Sequence, residues 1–260
     1  VSPSHDVRWT WKEFAARVDA LAAGFLALGL ERGARIGVWS LNRPEWTLTQ
    51  FAAAKAGLIL VTINPAYRLS ELEFALAKVG CAGIVTATAF KTSNYMEMLN
   101  TLLPELATSQ AGELQAARLP QLRAVIQIGG PKAPGTIAFD DVSQMGSAQH
   151  RERLAELGKL LQFDDAVNIQ FTSGTTGSPK GVTLTEQDRI CIPVPLYHCF
   201  GMVMGNLASV ALGATMVYPG EGFDPLATLQ TIEREKCTAL YGVPTMFIAE
   251  LDHPEFARFD

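Results

Sequence analysis

The chain has 260 residues, 48% of them hydrophobic, with 22 Gly, 14 Pro and 21 basic residues against 26 acidic ones. That length can bury the core of one large domain or two small ones, and a mildly acidic balance without a basic tract argues against a nucleic-acid partner. The four cysteines, Cys81, Cys191, Cys199 and Cys237, are scattered with no CxxC pair, which suits free thiols in a reducing compartment better than a disulfide framework or a zinc site.

The N-terminal stretch Val1-Ser-Pro-Ser-His-Asp6 is not a signal peptide, and without Met it predicts a chain that starts inside a longer one. Thr10 and Glu13 stand at capping-box spacing, and Phe14, Val18, Leu21, Phe25 and Leu28 recur at helical intervals up to Gly29. Residues 35–40 read as a strand, Asn42-Arg-Pro-Glu45 opens a helix, and 57–63 read as a second strand closed by Asn64-Pro65. Ser70 and Glu73 predict the cap of a helix that runs to about Val79. Strands follow at 82–86, 123–128 and 167–171, with helices at 95–106 and 149–161. Further on, the pattern predicts strands at 189–195, 214–218 and 238–243, and helices at 201–212, 225–235 and 245–251. The apolar run 199–217 is broken by Gly201, Gly205, Asn206, Ser209 and Gly213, so it reads as a buried helix feeding a buried strand and not as a membrane span. Short, branched, apolar strands alternating with helices predict buried, largely parallel sheets covered by helices. Val182-Thr-Leu-Thr185 runs straight into Glu186-Gln-Asp-Arg189 with no helix between them, which predicts missing residues at 185–186.

The most informative segment is Phe171-Thr-Ser-Gly-Thr-Thr-Gly-Ser-Pro-Lys-Gly181. Gly174 and Gly177 permit backbone geometry that a side chain blocks, so successive N–H groups can wrap phosphate oxygens. Thr172, Ser173, Thr175, Thr176 and Ser178 can add hydroxyl hydrogen bonds, and Lys180 brings a mobile positive charge. The order of residues fits neither a Walker A loop, which needs GK[S/T], nor the dinucleotide fingerprint GxGxxG.

This string resembles the signature phosphate-binding motif of the adenylate-forming (AMP-binding) superfamily, and the stretch Pro193-Val-Pro-Leu-Tyr-His-Cys-Phe-Gly-Met202 looks most like medium- and long-chain fatty acyl-CoA synthetases within it. Other segments are similar in order and spacing: 6–14, Gly33-Ala-Arg-Ile-Gly-Val38, the stretch from Ala56-Gly57 to Asn64-Pro65, Pro195-Leu-Tyr-His-Cys-Phe-Gly201 and Tyr241-Gly-Val-Pro244. The resemblance spans nearly the whole chain but only the first half of the family's length: the adenine and ribose segments, the magnesium-associated glutamate and the C-terminal catalytic lysine are missing, so it implies a phosphate loop and part of an acyl pocket but not a complete active site. It implies an α/β fold of two αβαβα subdomains, the second incomplete, with 34–185 in the first and 1–33 plus 186–260 in the second.

The implied reaction has two halves. A carboxylate attacks the α-phosphate of ATP, with Mg2+, and releases pyrophosphate; coenzyme A thiolate then attacks the acyl-adenylate and expels AMP. Positioning and charge stabilisation do the work. By resemblance, Thr172, Ser173, Gly174, Thr175, Thr176, Gly177, Ser178 and Lys180 bind the nucleotide, with Lys180 and His198 catalytic. His198 would sit near the carboxylate end of the substrate, with Phe200, Gly201, Met202, Tyr241, Gly242 and Pro244 around the acid. For Met202 and the Tyr241–Pro244 segment, plain core packing stands as an alternative. The apolar tone and the lack of an acidic residue near Phe200 favour a fatty acid over an amino acid. A cytoplasmic protein, peripheral contact with a membrane and a homodimer are compatible with this reading. An aryl-CoA ligase, an amino-acid adenylation domain, a truncated nucleotide-binding homologue and an unrelated phosphotransferase remain alternatives.

Overall fold

The computed structural model of the chain describes residues 1–163, 165–170 and 185–259, and these fall into two units. The first unit holds Thr10–Ser40 and Glu45–Gln170; the second holds Val1–Trp9, Leu41–Pro44 and the residues described from 185 onward.

In the first unit, α1 (Trp11–Ala27) begins at the predicted capping box. Thr10 Oγ1 accepts from the Glu13 N–H, and the Glu13 carboxylate accepts from the Thr10 N–H at 2.8 Å. Then come β1 (Arg35–Trp39), α2 (Pro44–Lys55), β2 (Ile59–Thr62), α3 (Leu69–Val79) and β3 (Cys81–Thr86). A short antiparallel hairpin, β4 (Ala89–Phe90) with β5 (Ser93–Asn94), leads to α4 (Tyr95–Leu102). β6 (Ala124–Gln127), β7 (Ile137–Ala138), α5 (Phe139–Met145), α6 (Ala148–Leu160) and β8 (Asn168–Gln170) complete it. The sheet order is β7-β6-β3-β1-β2-β8, and every neighbouring pair is parallel. β3 and β6 are buried along their whole length, as strands covered on both faces must be, which is why the sequence shows continuous apolar runs there.

Several local expectations are corrected. The carboxylate that caps α3 belongs to Glu71, bonded to the Arg68 N–H at 2.9 Å; Glu73 instead forms a forked pair with Arg118. α4 stops at Leu102, before Pro104, because a proline there lacks the N–H that would continue the ladder. β7 and α5 were not predicted at all. That omission hid the place of α1, which packs against α5 and α6. A methyl group on Gly24 would lie 2.0 Å from the Val142 carbonyl oxygen, and one on Gly146 would lie 2.6 Å from Ala23 Cβ. The backbones of α1 and α5 therefore touch, and residues 10–33 group with the first unit and not with 186–260 as expected. Only Val1–Trp9 joins the second unit.

The second unit is built on a parallel sheet of β9 (Arg189–Cys191) flanked by β10 (Thr215–Val217) and β11 (Ala239–Leu240), in the order β10-β9-β11. A π-helix (Phe200–Leu207) continues as α7 (Ala208–Leu212), followed by α8 (Pro225–Glu235) and α9 (Pro244–Leu251). α8 has the predicted bounds, with Asp224 accepting from the Ala227 N–H at 2.7 Å and Pro225 in the first turn, where its missing N–H costs nothing. Glu235, at the end of α8, is 5% exposed and holds Arg8 in a forked pair and Arg189 at 3.1 Å. This ties the N-terminal segment and the start of β9 to one buried carboxylate. Among the described residues no helix is long and apolar enough to cross a membrane.

Candidate functional site

β9 was expected to run from 189 to 195 but ends at Cys191. Pro193 and Pro195 have no N–H to offer a neighbouring strand. A side chain takes over the hydrogen bonding: Asn42, 3% exposed, donates from Nδ2 to the Val194 carbonyl at 2.9 Å and accepts from the Leu196 N–H at 2.8 Å. Its own N–H is bonded to the Glu221 carbonyl at 3.0 Å. The chain then turns, with the His198 N–H donating to the Pro195 carbonyl at 3.2 Å.

His198 lies at the exposed crest of that turn. The Phe200 N–H donates to its Nδ1 at 3.2 Å, and Cys199 Sγ is 3.6 Å from the same nitrogen. With Nδ1 accepting, the neutral ring carries its proton on Nε2. Gly201 follows where no side chain fits: a methyl group there would lie 2.4 Å from the Pro195 carbonyl oxygen. Gly205 likewise presses on Ile192, and Asn206 Oδ1 accepts from the Tyr218 hydroxyl at 2.7 Å. The predicted helix 201–212 is thus a π-helix followed by a short α-helix, and π segments recur at functional sites.

The second predicted segment arrives from β11. The Tyr241 N–H donates to the Cys191 carbonyl at 3.0 Å, and the Tyr241 and Phe200 rings meet with centroids 5.4 Å apart, tilted by 45°. Burial raises the Tyr241 hydroxyl above its ordinary pKa, and that of Tyr197 likewise. Gly242 leaves room for the Phe247 ring, which a Cβ would approach to 2.9 Å. Pro244 opens α9.

Of the residues predicted around the acid, Phe200 and Tyr241 are therefore in direct contact, and His198, Gly201, Gly242 and Pro244 belong to the same two segments. Met202 is 1% exposed and packs into the core of this unit. Its neighbours Val203, Met204 and Leu207, with Val243, Phe247 and Ile248, present apolar surface instead. Sequence reasoning passed over Asn42, 152 residues before Val194, and Glu250. The Glu250 side chain is buried on α9, and desolvation raises its carboxyl pKa; the i, i+4 relation to buried Met246 was its signal.

The predicted phosphate loop lies outside the described residues: Thr172, Ser173, Gly174, Thr175, Thr176, Gly177, Ser178 and Lys180 all fall in 171–184. It follows β8, the edge strand beside β2, directly in sequence.

The family described as "AMP-binding enzyme" matches residues 1–260. The chain is 47% identical to the zebrafish (Danio rerio) "Medium-chain acyl-CoA ligase ACSF2, mitochondrial" across 98% of this chain and 45% of that protein. It is 39% identical to the Bacillus subtilis "Putative acyl-CoA synthetase YngI" across 100% of this chain and 50% of that protein. The chain therefore spans about half the length of the curated relatives it matches. The first alignment covers 274 positions and the second 278, both more than the 260 residues here, so the relatives hold internal residues that have no counterpart in this chain. In fold, the chain is similar to the anthranilate CoA ligase AuaEII solved with anthranoyl-AMP, with a TM-score of 0.79 at 22% identity over 100% of this chain and 49% of that one. It is also similar to the N-terminal domain of FACL13 from Mycobacterium tuberculosis, with a TM-score of 0.78 at 21% identity over 100% of this chain and 62% of that one.

Proposed function

Because this chain belongs to the AMP-binding enzyme family, we propose that it is part of an enzyme that joins a fatty acid to coenzyme A through an acyl-adenylate. The observation that carries the fatty acyl reading is the exposed apolar surface of Val203, Met204, Leu207, Phe247 and Ile248, on the two segments that hold His198 and the Phe200–Tyr241 pair. The names of the relatives, medium-chain acyl-CoA ligases among them, support the same reading.

Thr172, Ser173, Thr175, Thr176 and Ser178 would hold the triphosphate of ATP, with Gly174 and Gly177 shaping the loop and Lys180 clamping the outer phosphates. His198 would hold an oxygen of the acid, with Phe200, Gly201, Tyr241, Gly242 and Pro244 beside the acyl chain and Met202 supporting them from the core. Among the described residues no group of three His, Cys, Asp or Glu side chains could hold a metal ion; Mg2+ would meet this chain through the nucleotide phosphates. Fixed dipoles and one lysine suit a reaction that needs placement and charge stabilisation and no covalent enzyme intermediate. On this reading the adenine, ribose and C-terminal lysine segments belong to the part of the family's length that the chain does not span.

The test is AMP and acyl-CoA formation from ATP, Mg2+ and coenzyme A by the protein carrying this chain, across acetate, octanoate, palmitate, benzoate and mixed amino acids. Turnover with octanoate or palmitate is expected. Turnover with benzoate alone would move the assignment to an aryl-CoA ligase, turnover with amino acids alone to an adenylation domain, and no AMP with any acid would refute the proposal.

A further inference from the structure

We propose that Asn42 is a positioning residue for His198, holding the loop 194–198 so that the imidazole offers Nε2–H as a fixed hydrogen-bond donor to an oxygen of the acid; this rests on the acyl-adenylate reading above. Asn42 makes the contacts an extra strand would make. Its amide spans the Val194 carbonyl and the Leu196 N–H, the last polar backbone groups before the turn, and its own N–H is fixed to Glu221. No other side chain reproduces this. Aspartate can accept from Leu196 but cannot donate to Val194, leucine does neither, and glutamine is one methylene too long for the same backbone position.

The constraint passes along the loop by contact. Leu196 is anchored, and the Pro195 carbonyl beside it is occupied on one side by the His198 N–H and crowded on another by Gly201. That places the Phe200 N–H on Nδ1 of His198. Nδ1 accepts from the protein, so the neutral ring can act outward only as a donor through Nε2. The same donor can hold one oxygen of the attacking carboxylate and later the carbonyl oxygen as charge builds on it during thiolate attack, and no proton need leave the ring.

Two measurements on the protein carrying this chain test the proposal. The first is a double-mutant cycle of Asn42→Ala and His198→Ala, read as kcat/KM for the acid with KM for ATP as the internal control. Asn42→Ala is expected to lower kcat/KM about tenfold or more by misplacing the ring, with KM for ATP little changed, yet to cost less than about twofold when His198 is already alanine. An equal loss in both backgrounds would mean Asn42 acts only on stability and would overturn the proposal. The second, independent of turnover, is the 15N spectrum of the His198 ring, assigned by its disappearance in His198→Ala. Wild type is expected to show Nδ1 bare and Nε2 protonated, and Asn42→Ala a mixture of tautomers. A proton on Nδ1 in wild type, or an unchanged pattern in Asn42→Ala, would overturn the proposal. If Asn42→Ala does not fold, Asn42→Asp, which keeps the Leu196 contact and loses the one to Val194, takes its place in both measurements. A protein with the expected ring pattern but no acyl-CoA product would refute the enzymatic reading and leave the role of Asn42 in orienting the ring intact.

Discussion

Replacing Gly201 by alanine would set a methyl group against the loop that carries His198. The new carbon would lie 2.4 Å from the Pro195 carbonyl oxygen, 2.7 Å from its carbon and 3.0 Å from Leu196 Cα. All three neighbours are backbone, so no side chain can swing aside. The loop cannot retreat cheaply either, because the Pro195 carbonyl accepts from His198 and the Leu196 N–H is bonded to Asn42. Overpacking of this kind costs about 1–3 kcal/mol, and the loss should be concentrated in the loop. Gly158, inside α6, is the control: a methyl group there meets nothing within 4 Å, and alanine should stabilise the helix by up to about 1 kcal/mol. Urea unfolding gives the sign of each change, and hydrogen exchange at the Leu196 and His198 amides locates it. Because the chain forms two units, the exchange data also avoid assuming a single transition. A Gly201→Ala protein as stable as wild type, with both amides equally protected, would refute the argument that this glycine is required by close approach.

Lys180→Ala is expected to cut acid-dependent pyrophosphate release while leaving thermal stability unchanged; turnover at the wild-type rate would remove Lys180 from the nucleotide site. Glu235 has its pKa shifted below the ordinary 4.5 although burial pushes the other way, because Arg8, Arg234 and Arg189 outweigh it. A lowered folded-state value gives stability that is present above the unfolded value and lost as pH falls through the folded one, so stability should decline on acidification below about pH 4.5. Glu235→Gln should cost about 2 kcal/mol at neutral pH and flatten that decline; an unchanged acid limb would argue against the assignment. Among the described residues the buried Thr62 hydroxyl has no hydrogen-bond partner, so Thr62→Val, which keeps the shape, should leave stability unchanged or raise it by up to about 1 kcal/mol; a clear loss on urea unfolding would show that the hydroxyl is satisfied.

What could be read from the sequence is what short-range physics encodes. The capping box at Thr10 and Glu13, the Asp224-Pro225 start of α8 and the continuous apolar strands β3 and β6 each depend on residues a few positions apart, and each was legible. The α/β class followed from their alternation, and the family from an eleven-residue string whose own geometry lies outside the described residues. Tertiary structure decided the rest. α1 joined the first unit because Gly24 and Gly146 let α5 approach its backbone, and α5 is too short and too polar at Asp140 and Asp141 to stand out as a periodic helix. β9 stopped at Cys191 because two prolines withhold their N–H groups and Asn42, far away in sequence, supplies the missing hydrogen bonds. Met202 turned inward while Val203 and Met204 stayed exposed, and Gly201 and Gly205 face Pro195 and Ile192 where a Cβ would not fit without a shift. Capping and periodicity act through neighbours along the chain, whereas these choices rest on contacts between residues far apart in sequence, which a single sequence does not pair.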